Sequence, residues 1–322
     1  MTPTPPVIFI IFNRTDTTRQ VFEVIRAAQP SKLLVIADGP REDVPGEAEK
    51  CAAARAIVDE VDWECEVYRN FSETNMTIRL RISSGLAWAF DLVDKAVVLE
   101  HDCLPSLSFF RYCGELLEHY ENDERVMMIS GQNHLFGQAE TANSYYFSRY
   151  AHVMWGWATW RRAWKKYDLN MTRWPDIRDR KLFDQYFNKR RERYYWESIF
   201  EMMYEGGRID TWDYQWFYSM WENSGLCVTP VRNLVLNIGI DAEATHTNTK
   251  YDRIYSTLEA GEIDTPLAHP ANVLANSDYD ELEAKLRFAY HTKGMLGFFF
   301  RLLAVKVLIR RVRTRAQSRK AR

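Results

Sequence analysis

The sequence lacks an uninterrupted apolar run long enough to cross a membrane. Its longest apolar segments are Val7–Phe12 and residues 295–309, and Arg301 and Lys306 interrupt the second. A spanning helix needs about 18 or more apolar residues with few or no charges. The start also has no basic segment ahead of Val7–Phe12, which is too short for the apolar part of a secretion signal. We therefore expect neither a membrane span nor a secretion signal.

The sequence also lacks an even number of cysteines that could all pair as disulfides. The five cysteines include no CxxC pair, and their odd number leaves one over from any complete pairing. This pattern argues against a secreted disulfide scaffold. We expect a reduced, cytoplasmic protein.

Acidic residues are absent from the last thirty positions. Residues 293–322 carry ten Lys or Arg, which leaves a net charge of −12 on the rest of the chain. An acidic body argues against a nucleic-acid-binding surface. The tail allows two interpretations, a helix lying on an anionic membrane surface or a helix docked on the body with a basic end.

What the sequence does contain is an alternation of strand and helix patterns. Val7–Phe12 has the continuous β-branched and aromatic character of a strand buried on both faces. Apolar residues at helical spacing follow, behind a polar segment, Thr15–Thr17, that predicts an N-terminal cap. The same alternation predicts the strands Leu33–Ala37, Cys65–Tyr68, Ala96–Leu99 and Val126–Ile129 and helices over 46–61 and 78–93. The fold class is therefore α/β, a mostly parallel, Rossmann-like sheet with helices on both faces.

Polar residues follow the predicted strands at the sheet edge where such folds bind ligands. They are Asn13-Arg14, Asp38-Gly39, Glu100-His101-Asp102 and Ser130-Gly131. Ordinary turn chemistry is the alternative, because strand ends need turn-forming residues in any case. Glu100-His101-Asp102 is the most distinctive of the four, since carboxylates favour a divalent cation such as Mg²⁺ or Mn²⁺ with phosphate oxygens as further ligands. Its alternative is a strand end facing solvent.

Tryptophan is concentrated in the second half of the chain. Nine of the eleven Trp lie between Trp155 and Trp221. Buried Trp supplies packing area whatever the function, whereas an exposed Trp ring also covers the apolar face of a sugar. We name Trp155, Trp157 and Trp212 as candidates for an acceptor or sugar pocket and leave packing as the alternative.

The segment Val97-Val-Leu-Glu-His-Asp-Cys-Leu-Pro-Ser106, followed by Phe109-Phe110, resembles the Asp-x-Asp-type segment of GT-A glycosyltransferases. In particular, it is similar to the bacterial haemolytic-protein-like group related to N-acetylglucosaminyltransferase I. The resemblance extends over roughly residues 5–250 and continues in these segments: Ile8–Arg14, Ala37–Arg41, Ile129–Gly131, Trp155–Trp160, Thr211–Trp216, Pro230, Asn233-Leu234, Asn237–Gly239 and Ala244–Thr247.

The resemblance implies a sugar transfer from a nucleotide diphosphate donor to an acceptor hydroxyl, assisted by a metal and with inversion at the sugar. It implies that Asp102 holds Mn²⁺ or Mg²⁺ on the diphosphate and that Glu100 reaches the ribose. The loops at Asn13-Arg14 and Asp38-Gly39 would line the base and ribose pocket. The implied partners are a nucleotide-sugar donor, with a UDP-sugar favoured, and a glycan or lipid-linked acceptor.

Two positions depart from the family pattern. His101 stands where the family usually has a carboxylate that hydrogen-bonds the donor sugar, so the donor sugar or the metal dependence can differ. Asn75-Met76-Thr77 replaces the Asn-Leu-Gly expected before the next helix. Thr77 lacks the freedom of glycine to let the backbone come close to a neighbour.

Two further site residues follow from the resemblance. Asp213 matches the position of the catalytic base in inverting GT-A enzymes, where one carboxylate takes the acceptor proton. The alternative is an Asp that caps the helix running to Trp221. His246 matches a late metal or diphosphate ligand, with an ordinary structural histidine as its alternative.

We expect a glycosyltransferase domain over residues 1–250, with a nucleotide-binding half over about 1–130 and an acceptor half over about 131–250. An extension over 251–292 and the basic apolar tail over 293–322 would follow. The expected location is the cytoplasm, either free or as a peripheral protein at the inner face of the membrane. The rivals are a nucleotidyltransferase on sugar phosphates, which normally has a Gly-rich loop that Phe12–Asp16 lacks, and a non-catalytic carbohydrate-binding protein.

Overall fold

The computed structural model describes residues 3–139, 141–151, 155–187, 189–206, 210–239 and 259–287, and these residues form a mixed α/β fold. The strands are β1 Val7–Ile11, β2 Lys32–Ala37, β3 Glu66–Phe71, β4 Lys95–Glu100, β5 Cys103–Pro105, β6 Val126–Ser130, β7 Tyr145–Ser148, β8 Trp157–Trp160, β9 Leu226–Pro230 and β10 Val235–Asn237. The helices are α1 Thr15–Ala28, α2 Glu47–Ala56, α3 Thr77–Leu92, α4 Leu107–His119, α5 Arg161–Trp164, α6 Trp174–Asp179, α7 Arg190–Tyr204, α8 Asp213–Glu222 and α9 Ser277–Arg287. Single 3-10 turns cover Ile57–Glu60 and Asp184–Tyr186.

Eight strands form the central sheet, in the order β3-β2-β1-β4-β8-β6-β9-β7. Neighbouring strands from β3 to β4 are parallel, β8 is antiparallel to both β4 and β6, and β7 is antiparallel to β9. The sheet is therefore mostly parallel, as the sequence predicts. The carboxyl ends of β1, β2, β4 and β6 consequently meet at one edge.

Alternate residues of each strand face two separate hydrophobic cores. In β1, Ile8 and Ile10 belong to one core, whereas Val7, Phe9 and Ile11 belong to the other. This two-sided burial is the reason that the strand sequence is a continuous apolar run.

Helices cover both faces of the sheet. Helices α1 and α4 pack in the core that contains Phe9, and α3, α7 and α8 pack in the core that contains Ile8. Most of the tryptophans lie in the second of these cores. The α/β class with helices on both faces is confirmed.

A small second sheet shapes the edge after β4. Strand β5 pairs antiparallel with β10, with Cys103 opposite Asn237. The Ile238 N–H then donates to the Asp102 backbone carbonyl at 2.9 Å. Two segments far apart in the sequence thus lie side by side directly after β4.

The described part of the C-terminal extension packs on the same body. Ile263 and Leu267 are buried in the core that contains Phe9. Asn276 N–H donates to the Phe147 carbonyl at 2.8 Å, and α9 follows directly. Residues 293–322, and with them the predicted basic tail, lie outside the described residues.

The predicted elements occur with shifted ends, and one prediction is wrong. The helix predicted over 46–61 ends at Ala56 and continues as a 3-10 turn, and the strand predicted at Cys65–Tyr68 is Glu66–Phe71. The predicted cap of α1 does not form, because the helix already begins at Thr15, and Arg14 in the capping position makes no side-chain cap.

All five cysteines lie in the described ranges, and none of them forms a disulfide. Within the described ranges, no helix combines the length and the apolar character that crossing a membrane requires.

Candidate active site

The candidate site lies where β4 and β1 end next to each other. Strand β1 is parallel to β4, and Ile10 is in register with Glu100. This register brings the residues after β1, Asn13 and Arg14, to the same edge as Glu100, His101 and Asp102. All five residues are half-buried.

Three carboxylates come together at this edge. Burial raises the pKa of Glu100 well above its usual range, and the negative charges of Asp102 and Asp213 raise it further. Asp213 is the first residue of α8, which packs on the face of the sheet that Ile10 occupies. The fold therefore brings Asp213 into electrostatic contact with the end of β4, although the two segments lie in different halves of the chain.

Asp102 lies against a backbone segment that approaches unusually closely. A Cβ placed on Gly239 would collide with the Asp102 carboxylate and would lie 2.7 Å from Arg14 Nη1. Arg14 Nη1 donates to the Gly239 carbonyl at 3.1 Å, and Cys103 Sγ lies 3.6 Å from Asp102 Oδ1. A side chain at position 239 would therefore have to displace Asp102 or Arg14.

The imidazole of His101 has mixed electrostatic surroundings. Burial lowers its pKa, the Asp102 carboxylate raises it, and the Arg14 guanidinium lowers it. The net effect is a lowered pKa, which favours the neutral ring near neutral pH.

Asn13 is held by an ion pair that the sequence did not reveal. Asn13 Nδ2 donates to Glu47 Oε1 at 2.9 Å, and the same carboxylate accepts from Arg41 Nη2 at 2.5 Å. Glu47 is 2% exposed. Hydrogen bonding to Arg41 lowers the pKa of Glu47. Glu47 thus acts as a fixed anchor that orients the Asn13 amide.

The predicted ribose loop, Asp38-Gly39, is tied to the segment before α3. Asp38 Oδ1 accepts from the N–H groups of Gly39 and Met76, both at 2.9 Å. A Cβ on Gly39 would lie 2.6 Å from the Thr74 backbone nitrogen. Burial raises the pKa of Asp38, and these two backbone donors oppose the shift. The carboxylate therefore holds the loop in shape.

The three candidate Trp residues are buried. Trp157 and Trp212 are 2% and 4% exposed, and their rings stack at 5.6 Å between centroids. Trp157 also packs on Trp164 and Trp216. For Trp157 and Trp212 the described residues thus show packing, the alternative that the composition left open. Trp155 is buried in the opposite core, with its ring edge-on to His134.

Asp213 has contacts that fit either of its two interpretations. Its Oδ1 accepts from the Thr211 hydroxyl and, at 2.9 Å, from the Tyr214 N–H. The second bond binds one of the N–H groups that a helix start leaves unsatisfied. Asp213 is half-buried, and its charge contributes to a raised pKa of Tyr167, after burial as the main cause.

Sequence reasoning missed Asp210. Its carboxylate accepts from the backbone N–H groups of Ile78 at 2.9 Å and Arg79 at 3.0 Å. No local pattern could have revealed this contact, because the acid and the helix that it caps are separated by more than a hundred residues.

A metal site is not complete among the described residues. Within them, no group of three or more His, Cys, Asp and Glu side chains is placed to hold a metal ion. His246 lies outside the described residues. The carboxylates of Asp102 and Glu100 are suitable oxygen donors for Mg²⁺ or Mn²⁺ when most other ligands come from a bound diphosphate and water.

No protein-family model matches the sequence, and curated proteins give no significant match. Among solved structures, the galactosyltransferase LgtC in complex with donor and acceptor sugar analogues is similar over 88% of this chain and 97% of its own, with a TM-score of 0.36 and 12% identity. An active-site mutant of LgtC gives a TM-score of 0.37 and 12% identity over 91% and 99% of the two chains. UDP-glucose pyrophosphorylase complexed with UDP-glucose gives a TM-score of 0.23 and 10% identity, over 45% of this chain and 62% of its own. Likenesses of this size do not assign the chain to a family.

Proposed function

We propose that the protein is a GT-A-type glycosyltransferase that moves a sugar from a nucleotide diphosphate donor to an acceptor hydroxyl. The observation that carries the proposal is the meeting of Glu100, Asp102 and Asp213 at the carboxyl edge of the sheet, beside Arg14. The charges of Asp102 and Asp213 both act unfavourably on an ionised Glu100, and such a concentration of negative charge favours a site that binds a cation and polar ligands.

In this proposal the two ends of the site have different tasks. Asp102 and Glu100 lie on the donor side. Glu100 would accept a hydrogen bond from a ribose hydroxyl. Asp102 would hold a divalent metal, with His246 as a further candidate ligand. The metal, when bound, would neutralise the charge that develops on the leaving diphosphate. Asn13, Arg14, Asp38, Gly39 and His101 would line the donor pocket.

Asp213 would be the base for the acceptor. The acceptor oxygen forms a bond to the anomeric carbon while the bond from that carbon to the diphosphate oxygen breaks, and the electron pair leaves with the nucleotide. The acceptor proton passes to the Asp213 carboxylate. A single displacement of this kind inverts the configuration at the anomeric carbon. The hydrogen bonds from Thr211 and Tyr214 would fix the orientation of the carboxylate for this transfer.

The substrate classes in the proposal are a UDP-sugar, carrying a hexose or an N-acetylhexosamine, and a glycan or lipid-linked acceptor. Such a reaction belongs to the synthesis of cell-surface polysaccharides. A cytoplasmic enzyme with a basic tail would meet a lipid-linked acceptor at the anionic inner face of the membrane.

The test is turnover of a panel of UDP-, GDP- and CDP-sugars by the full chain, with Mn²⁺ or Mg²⁺ and with a chelator. We expect one donor to be consumed in a metal-dependent reaction and to raise the melting temperature, because a bound donor stabilises the folded state by mass action. Release of the nucleotide diphosphate with an inverted sugar product supports the proposal. Formation of a sugar phosphate and a nucleoside triphosphate from donor and pyrophosphate would instead identify a nucleotidyltransferase. Sugar binding without any turnover would identify a carbohydrate-binding protein.

A further inference from the structure

The N-terminus of helix α3 depends on a distant residue for its cap. Met76, at the capping position, makes no side-chain cap, and the first turn contains no acid. The Asp210 carboxylate accepts hydrogen bonds there from the Thr77 hydroxyl, the Ile78 N–H and the Arg79 N–H at 3.0, 2.9 and 3.0 Å. A carboxylate at this end of a helix satisfies unpaired donors and interacts favourably with the helix dipole.

Thr77 adopts an unfavourable backbone conformation at this contact. Its φ is +68°, in the left-handed region that glycine favours and that β-branched residues avoid. A conformation of this kind is unfavourable for a β-branched residue and persists when the surrounding contacts hold it. The Asp210 carboxylate supplies such contacts to Thr77 and to the two residues after it. Stability alone favours glycine at position 77, but glycine has no hydroxyl to donate to Asp210.

This contact connects the two halves of the proposed site. On one side, Met76 N–H donates to Asp38 at 2.9 Å and Asn75 Nδ2 donates to the Gly39 carbonyl at 3.0 Å. On the other side, Asp210 is three residues before Asp213. A path of hydrogen bonds, the backbone link from Met76 to Thr77 and the three backbone links from Asp210 to Asp213 therefore connects the Asp38 loop to the carboxylate that approaches Glu100.

Other contacts hold the same segment at its far end. The Tyr167 hydroxyl donates to the Trp212 carbonyl at 3.1 Å, and the Trp212 ring stacks on Trp157. Residues 210–213 are thus held at both ends, by α3 through Asp210 and by the aromatic core through Trp212. Loss of the Asp210 contact would release the end that faces the donor loop.

We propose that Asp210 is a positioning residue that sets the place of Asp213 relative to the donor loop. The inference rests on the proposed function, because it assigns to Asp210 an effect on the base of that reaction. In this account Asp210 acts on the reaction through Asp213 and is therefore a positioning residue and not a catalytic one. The simpler alternative is a helix cap that contributes stability alone.

The experiment compares Asp210→Ala, Asp210→Asn and a control, Asp123→Asn, by kcat, donor Kd and melting temperature. Asp123 also accepts a backbone N–H, from Arg125 at 3.0 Å, but it precedes β6 at the opposite edge of the sheet. We expect Asp210→Ala to lower kcat about tenfold or more, at a temperature where all variants are folded, and to change donor Kd less than twofold. Asp210→Asn should recover part of kcat, because one side-chain oxygen remains as an acceptor. The control should leave kcat unchanged.

A double-mutant comparison separates positioning from stability. If Asp210 acts through Asp213, Asp210→Ala should have little further effect on kcat in an Asp213→Asn background. Equal kcat for wild type and Asp210→Ala, or a full additional loss in the double mutant, would overturn the inference while leaving the proposed function intact. If Asp213→Asn keeps wild-type turnover, or the wild type turns over no sugar nucleotide, the proposed function itself fails and the inference fails with it.

Discussion

At the scale of single residues, the site depends on close approaches that allow little substitution. Gly239 is the clearest case, because a Cβ added there would overlap the Asp102 carboxylate and would lie 2.7 Å from Arg14 Nη1 and 2.9 Å from Asp102 Cβ. Moving the Arg14 guanidinium would break its hydrogen bond to the Gly239 carbonyl, and the backbone that carries the Asp102 Cβ is held by the hydrogen bond from the Ile238 N–H.

We therefore expect Gly239→Ala to displace the Asp102 carboxylate. The added methyl group would overlap Asp102, so donor binding in the presence of Mn²⁺ should weaken about tenfold or more, an effect of ~1.4 kcal/mol. Gly261→Ala is the matched control, because a Cβ there would meet its nearest atom, Arg232 Cδ, at an ordinary 3.4 Å. Calorimetric titration with the donor measures both variants. Equal affinity of Gly239→Ala and wild type would contradict this expectation.

At the scale of elements, helix α9 shows how a buried charge can join an extension to the sheet. Asp280 is fully buried and accepts from the Ser148 hydroxyl at 2.6 Å and from Arg149 Nε at 2.9 Å. Burial raises its pKa to about 6, against the attraction of Arg149, and Glu283 adds to the rise. The folded protein therefore holds a proton on Asp280 at pH values where the unfolded chain has lost it.

This raised pKa predicts how the contribution of Asp280 to stability varies with pH. Because the folded-state pKa lies above the unfolded value, the contribution is complete below about pH 4 and declines as the pH rises towards 6. The whole change is on the order of 2–3 kcal/mol. Urea unfolding of wild type and Asp280→Asn between pH 4 and 7 gives the difference in unfolding free energy. As the pH rises, the wild type should lose unfolding free energy relative to Asp280→Asn. A shift in favour of the wild type would mean that the Arg149 pair keeps Asp280 ionised.

The elements also show which structural features the sequence could predict. Strand β1 was predictable because a continuous run of β-branched and aromatic residues is typical of a strand buried on both faces, and helix α1 was predictable because its apolar residues recur at helical spacing. The cap of α1 was wrongly predicted, because Thr15–Thr17 entered the helix. The cap of α3 could not be predicted at all, because it comes from Asp210 through tertiary folding.

The same distinction applies to the site residues. Glu100, His101 and Asp102 could be proposed because they follow directly on an apolar strand, and the end of a parallel strand is a common ligand edge. Glu47, which anchors Asn13, gave no signal, because a single acid at a helix start is common. Trp157 and Trp212 were ambiguous, since composition does not show whether a ring is covered. Their burial depends on how the helices pack on the sheet, which composition does not show.

At the scale of the whole molecule, the account requires that two halves of the chain form one reaction site. The first half supplies Glu100 and Asp102 from the end of β4, and the second half supplies Asp213 from the start of α8. The sheet order explains how they meet, because β8 inserts beside β4 and α8 then packs on the shared face. A donor bound at the first half would thus face an acceptor base that the second half provides.

The most direct test of this account is the transfer rate and the donor affinity of Asp213→Asn, measured together with the wild type. A base acts on the acceptor proton only as the new bond forms, so its loss should fall on the transition state. We predict that turnover drops by about 10²–10⁴-fold while donor Kd and melting temperature stay close to wild type. Asn caps a helix about as well as Asp, so an Asp213 that only caps α8 would leave all three quantities near wild type. Retention of most of the turnover by Asp213→Asn would contradict the account.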